Sequence, residues 1–460
     1  MSINNNLLKQ DLKTKMSQPH IRAHFPAHQG KMLRANTSYE LDVPYIRKPL
    51  LHKAEERIAH VFGAANSWLL TQGASQGLLA SIICAGMSTS RFGLAHNSHI
   101  AVIHGAILTD LELCYIPSKC AMPTTEEVMT FLDKNPPPVL ILTAPNYRGE
   151  YIDLCRISHK CRSKNIKLIV DEVHGSHLAL ESNKYRMAMS QACDLVIHSP
   201  HKYVGALVQG ALLHRPPSSA FSREQIDKAL SLVNTTSCSN LIRISLEESI
   251  YHMVQTNTLT MRNNALKRIV SVGDIIDQWA SDALYRETDL FDPWKLILKS
   301  DRVSGYELAR RLLSMGLDHE FANEDEVLFV FSEANDETDM LRVKTMINDV
   351  YVSLRELPQP TYVVSPKIPM RIPDFGMKPR TAFFSRKQTM VSVTEALGAI
   401  ACKPLAFEPP LISDKEGNDL KPSKIPQMPP GSPVIVPGER ISEWHIECLD
   451  AQQLISVCDE

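Results

Sequence analysis

The chain has 460 residues, too many for one ordinary core, so two or three domains around a large buried interior are expected. Hydrophobic residues at 44%, charged residues at 22% and a formal net charge of -2 describe a soluble globular protein and offer no basic surface for nucleic acid or an acidic membrane. The ten cysteines contain no C-x-x-C pair, which argues against a zinc site or a disulfide framework and suits a reducing cytoplasm.

The first twenty residues, MSINNNLLKQDLKTKMSQPH, are polar, and no later run of eighteen residues is apolar, so neither a signal peptide nor a membrane span is expected. FPAHQGK and ELDVPYIRKPLLHKAEERIAHVFGA lead into the first helical pattern, and residues 1–66 form an N-terminal arm and lead-in segment. From Ser67 to about His214, short apolar runs (SWLLT, HIAVIHGAILT, LELCYIP, PPVLILTAP, KLIVDE, DLVIHSP, ALVQGALLH) alternate with a helix through LLASIICAG and amphipathic stretches. That alternation predicts an α/β fold with a mostly parallel sheet flanked by helices. Between about Glu224 and Asp318 the pattern is helical, clearest in SLVNTTSCSNLIRISLEESIYHMV and SDRVSGYELARRLLSMG. A large domain over 67–318 and a smaller C-terminal α+β domain over 319–460 follow, the latter carrying the Pro-rich surface loop EPPLISDKEGNDLKPSKIPQMPPGSP. No repeat of fixed period is present.

Ligands of parallel sheets collect at the carboxyl ends of the strands, and four polar features stand there in chain order. In LLTQGASQGLLASI, Gly73, Ala74, Ser75 and Gly77 open a helix whose free amides can cradle a phosphate. In AHNSHIAV, His99 supplies a flat ring. In KLIVDEVHGSH an apolar run ends at Asp171, a carboxylate able to keep a pyridine nitrogen protonated. In DLVIHSPHKYVG the run ends at His198 and delivers Ser199, His201 and Lys202, whose amine can form an imine with an aldehyde cofactor. Singly these read as a turn, a structural histidine, a helix cap and a surface lysine; their order is what carries information.

From about Phe25 onward the chain resembles the ornithine/lysine/arginine decarboxylase family of fold-type I pyridoxal-5′-phosphate (PLP) enzymes. FPAHQGK is similar to its P-G-H-K-G motif, TQGASQG to its phosphate turn, HNSHIAV to N-x-H-K-S-V, and TAPNYRGEYID to T-x-P-T-Y-x-G-x-x-x-D. VDEVHGSH resembles D-E-A-H-G-A-H, and SPHKYVGALVQGALLH resembles S-T-H-K-T with its following Gln and strand. PRTAFFSRKQTMVSVTEALGAIA and MPPGSPVIVPGERIS are similar to segments of the family's C-terminal domain. Gln29, Ile100, Ala101, Tyr203, Cys238 and Asn240 depart from the pattern, which places the substrate rather than the cofactor in question. The lead-in is short, as in the branch without a wing domain, where arginine is the commonest substrate.

The resemblance implies PLP held by Lys202, with Asp171 on the pyridine nitrogen, His99 stacked on the ring, and Gly73, Ala74, Ser75, His174, Ser199 and His201 around the cofactor. Lys202 or His201 would return the proton, making Lys202, His201, His99 and Asp171 the catalytic set. It implies a homodimer in which Thr236 and Ser237 reach the partner's phosphate, and an amino-acid substrate of polyamine synthesis. His28, Arg380 and Glu439 are candidate substrate contacts, Glu439 for the distal cation. Two alternatives stand: another fold-type I enzyme such as an aminotransferase or lyase, with Arg380 or Arg371 clamping the α-carboxylate, and a non-catalytic regulatory homologue.

Overall fold

The computed structural model describes residues 21–22, 48–180, 187–236, 238–254, 262–269, 271–272, 291–357, 368–406, 431–449 and 452–458. His28, Gln29, Ser237 and most of the Pro-rich excursion lie outside them.

Seven strands form the central sheet: β1 (Asn66–Leu70), β2 (Arg91–Leu94), β3 (Glu112–Tyr115), β4 (Val139–Thr143), β5 (Lys167–Asp171), β6 (Leu195–His198) and β7 (Ala211–Arg215). Their order is β1-β7-β6-β5-β4-β2-β3, and β7 alone runs against its neighbours β6 and β1. The expected parallel character therefore holds for β2 to β6. The central strands read as unbroken apolar runs because both faces are covered. Val139, Ile141, Ile169, Leu195 and Ile197 enter one core, while Leu140, Leu142, Leu168, Val170 and Val196 enter the other. That is the period-two alternation of a strand applied to two hydrophobic layers.

Helices Gly73–Gly86 and Ile100–Thr109 have almost no polar face and pack on each other and the sheet, whereas Thr125–Lys134 and Leu154–Ser163 are amphipathic and half solvated. HIAVIHGAILT is a helix capped by His99, not a strand. The helical stretch read after Glu224 is broken at Asn234, giving Arg223–Val233 and Asn240–Met253.

A second sheet joins Lys295–Leu298, Val327–Val330 and Phe321–Ala322, with helix Gly305–Ser314 between its first strands. The four-residue strand KLIL was missed in a region read as helical, and its sheet straddles the boundary expected at 318/319. A division ahead of residue 291 keeps the sheet whole and is the one we propose.

Farther on, Gln388–Ser392 pairs with Leu454–Cys458 around a small apolar cluster. There Cys402 and Cys458 are disulfide-bonded across 56 residues, a correction to the cysteine reading. A search for local C-x-x-C spacing is blind to cysteines that strand pairing brings together.

Candidate active site

Strands β5 and β6 are parallel neighbours, with Asp171 in register with Ile197, so both chains leave the sheet at the same edge. β5 ends on Asp171 itself. β6 ends at His198 and passes through Ser199 into the one-turn helix Pro200–Tyr203, with proline at its first position to start the turn. That turn lifts His201 and Lys202 over the sheet edge. Lys202 Nζ lies 3.1 Å from His174 Nε2, and His201 Nδ1 is 2.9 Å from the Gly210 carbonyl.

On the opposite wall, helix Gly73–Gly86 begins at Gly73, whose φ of +79° belongs to the left-handed region and whose amide donates to the Gln209 carbonyl. The amides of Ala74 and Ser75 come next in the first turn, where a helix has no carbonyl to offer them. His99 caps the next helix, accepting from the Ala101 amide at Nδ1, 3.1 Å away.

These walls enclose a cavity of about 560 Å³. Of the residues named from sequence, Gly73, Ala74, Ser75, His99, Asp171, His174, Ser199, His201 and Lys202 all line it. Among the other residues on its walls that were not singled out from sequence are Asn97, Tyr147, Glu320 and Ser432. Tyr147 Oη donates to Glu320 Oε1 at 2.8 Å, and the Tyr147 ring stands edge-on to His174. Tyr147 and Asn97 lay inside the quoted motifs TAPNYRG and HNSHIAV, which was the available signal. Ser432 lay inside the quoted MPPGSPVIVPGERIS, whereas Glu320 arrives from a distant segment and had no such signal.

Four expected contacts, Glu439, Arg371, Arg380 and Thr236, are elsewhere. Glu439 is 3% exposed and sealed in the C-terminal part, held by Arg371 at 2.5 Å, His445 at 3.2 Å and the Val436 amide at 3.0 Å. A turn acid in PGERI reads as exposed in sequence, but here it neutralises a guanidinium. Arg371 is thereby committed, and Arg380 donates to the carbonyls of Ile107 and Leu108 at the end of helix Ile100–Thr109. Neither arginine lines the cavity. Thr236 is exposed and off its wall, on a segment tied to the phosphate turn through Thr235 N and Gln72 Oε1 at 2.9 Å.

Electrostatics follow from enclosure. Burial pushes the Asp171 carboxyl up from 3.8 to about 6, against the pull of Lys202 and the Val173 amide. Burial also holds the Lys202 amine below its ordinary value, opposed by Asp171 and Glu320. His99 is brought down to about 4 by burial, with Lys202 and His104 adding to it, and His174 falls well below the imidazole range for the same first cause. Both rings are neutral at neutral pH.

The cavity fits PLP. Ser199 Oγ, Ser432 Oγ and both amide atoms of Asn97 are buried on its walls with no hydrogen-bond partner among the described residues. Unmet groups of this kind are costly unless a ligand satisfies them. A helix start, a buried lysine of lowered proton affinity and a buried carboxylate complete the donor set for phosphate, aldehyde and pyridine nitrogen.

A family profile described as the major domain of Orn/Lys/Arg decarboxylases matches residues 22–301. The chain belongs to the Orn/Lys/Arg decarboxylase family. It is a PLP-dependent amino-acid decarboxylase, and the family fixes its cofactor as PLP. Among relatives of this decarboxylase is the arginine decarboxylase of Bacillus subtilis, 24% identical over 432 residues, which are 88% of this chain and 82% of the relative. Its fold is shared with the lysine decarboxylase of Francisella novicida at a TM-score of 0.70 and 16% identity, over 94% of this chain and 74% of the other. Lysine decarboxylase A of Pseudomonas aeruginosa gives 0.69 and 14% over 99% and 76%.

Proposed function

We propose that this decarboxylase acts on a basic amino acid, arginine first and lysine or ornithine next, as a cytoplasmic homodimer supplying amines for polyamine synthesis. The observation that carries the substrate class is Glu320, a second carboxylate on the walls of a cavity whose other carboxylate, Asp171, is committed to the cofactor. A carboxylate oriented by the Tyr147 hydroxyl is a partner for the ammonium or guanidinium at the far end of such a substrate. Relatives named arginine decarboxylase favour arginine, while neighbours named lysine decarboxylase share the fold. Among the described residues no arginine lines the cavity, which weighs against an aminotransferase that must keep the α-carboxylate clamped.

Bound PLP supplies the electron sink for the bond between Cα and the carboxyl carbon. The amides of Ala74 and Ser75, with Ser199 and His201, would hold the phosphate. Neutral His99 would pack on the ring, and Asp171 would keep the proton on the pyridine nitrogen. Lys202, whose lowered proton affinity leaves its amine nucleophilic, would hold the aldehyde carbon through Nζ until the substrate's amine displaces it, and the freed Lys202 amine or His201 would return a proton to Cα after carbon dioxide leaves. Thr236, together with Ser237, is assigned to the partner's phosphate in the dimer.

The test is purification followed by a visible spectrum and assays of carbon dioxide and amine from arginine, lysine and ornithine beside Lys202→Ala. A cofactor band and amine release, both lost in the variant, are expected. Bound cofactor without carbon dioxide from any of the three would overturn the basic-substrate reading.

A further inference from the structure

Lys295 has no part in the mechanism above and is 0% exposed, an unusual place for an ammonium. It opens strand Lys295–Leu298, outside the region that carries the cofactor motifs. Its Nζ donates to two main-chain carbonyls, Tyr147 at 2.6 Å and Asn146 at 3.1 Å. The same turn packs directly on its stem: Gly149 has φ +97°, and a Cβ there would lie 2.9 Å from Lys295 Cδ and 3.0 Å from Asp292 Cβ. Asp292 closes the arrangement, with its amide donating to the Gly149 carbonyl at 2.7 Å; burial pulls the Lys295 amine down to about 7, and the Asp292 and Glu320 carboxylates work against that and favour its ammonium form.

The turn so held carries Tyr147, whose hydroxyl meets Glu320 and whose ring edge meets His174, the neighbour of Lys202. Burying a charge is tolerated only where bonds and a counter-charge offset it. Here the offset is spent on a loop at the cavity wall. We propose that Lys295 is a positioning residue of the decarboxylation site, whose ammonium fixes the Asn146–Gly149 turn and through Tyr147 aims the Glu320 carboxylate at the distal cation of the substrate. The idea rests on the substrate reading above.

It is tested on the holoenzyme with Lys295→Met, Tyr147→Phe and Glu320→Gln, singly and with the first two combined in turn with the third. The dissociation constants of cadaverine and agmatine are measured by calorimetry, beside KM and kcat for lysine and arginine. Lys295→Met and Tyr147→Phe are expected to weaken amine binding and raise KM by about tenfold, with kcat changed far less. In the Glu320→Gln background neither adds more than about twofold, since residues acting through one contact are not additive. A purely structural lysine would lower the melting temperature and leave amine affinity intact, which would overturn the proposal, as would additive losses. Tyr147→Phe keeps the turn and removes one hydroxyl, so it decides the matter if Lys295→Met fails to fold. Amine binding needs no turnover, so a failed decarboxylase reading would show as missing carbon dioxide and leave this result separate.

Discussion

Asp171 is the residue whose cost and use can be separated. Burial raises the carboxyl from 3.8 to about 6, so the folded chain keeps it protonated to a higher pH than the unfolded chain does. Its folded value lies above the unfolded one, so cofactor-free protein loses stability as pH rises from about 4 through about 6, a penalty of about 3 kcal/mol that is complete by pH 7. His99, lowered to about 4, acts in the opposite sense over the same range, so only a comparison of variants isolates Asp171. Cofactor-free Asp171→Asn should unfold at a higher temperature than wild type at pH 7 to 8, with the advantage gone near pH 4, while its affinity for PLP falls. Equal melting curves across that range would mean that the carboxylate finds compensation in the empty cavity. Asp171 and Lys202 were legible because each follows an apolar run, and strand ends are where a parallel sheet exposes its chemistry, whereas a lone histidine such as His99 was picked out only through the family resemblance. Glu320 was not, because its approach depends on packing between segments 173 residues apart.

The edge that presents Asp171 and Lys202 is braced one residue inside the fold. Glu172, next after β5, binds His198 Nε2 at 2.7 Å and accepts from the Ala188 amide at 2.7 Å, with both side chains 0% exposed. The pair ties β5 to β6 between the pyridine carboxylate and the lysine turn, and Phe62 packs against the His198 ring. His198→Phe keeps an aromatic ring against Phe62 but leaves the buried Glu172 carboxylate with only the Ala188 amide, which should destabilise the protein by about 3–5 kcal/mol in urea unfolding. Adding Glu172→Leu should recover much of that loss, because a fully apolar pair removes the unmet charge. A double variant no better than the single would show that the brace acts through shape alone. Sequence periodicity gave six of the seven strands, since runs such as KLIVD and LVIH admit little else, but it passed over RFGL and KLIL and placed HIAVIHGAILT among the strand-like runs. Short apolar runs do not distinguish strand from buried helix until their neighbours are known.

At the scale of the whole molecule, the C-terminal part completes the cavity that the large sheet begins. The Gly431 carbonyl accepts from the Ile100 amide at 2.8 Å, a Cβ on Gly431 would lie 3.2 Å from the His99 ring, and Ser432 stands on the cavity wall. The apolar cluster beneath Gln388–Ser392 and Leu454–Cys458 is small, with Val393, Ala396, Ala401, Ile435, Ile441, Ile455 and Val457 at its centre. A core of that size gains from a covalent staple, and Cys402–Cys458 closes a 56-residue separation around it. Where the pair is oxidised, restricting the unfolded chain over such a loop contributes about 4 kcal/mol, a contribution that a reducing cytoplasm withdraws. Reductant should therefore lower the melting temperature of the wild-type protein, and Cys402→Ser should show the lower value with or without reductant. Thiol titration of the unreduced, denatured chain should find the eight free cysteines rather than ten. Ten thiols in protein never exposed to reductant would remove the staple and leave Gly431 and Ser432 held at His99 by hydrogen bonding and packing alone.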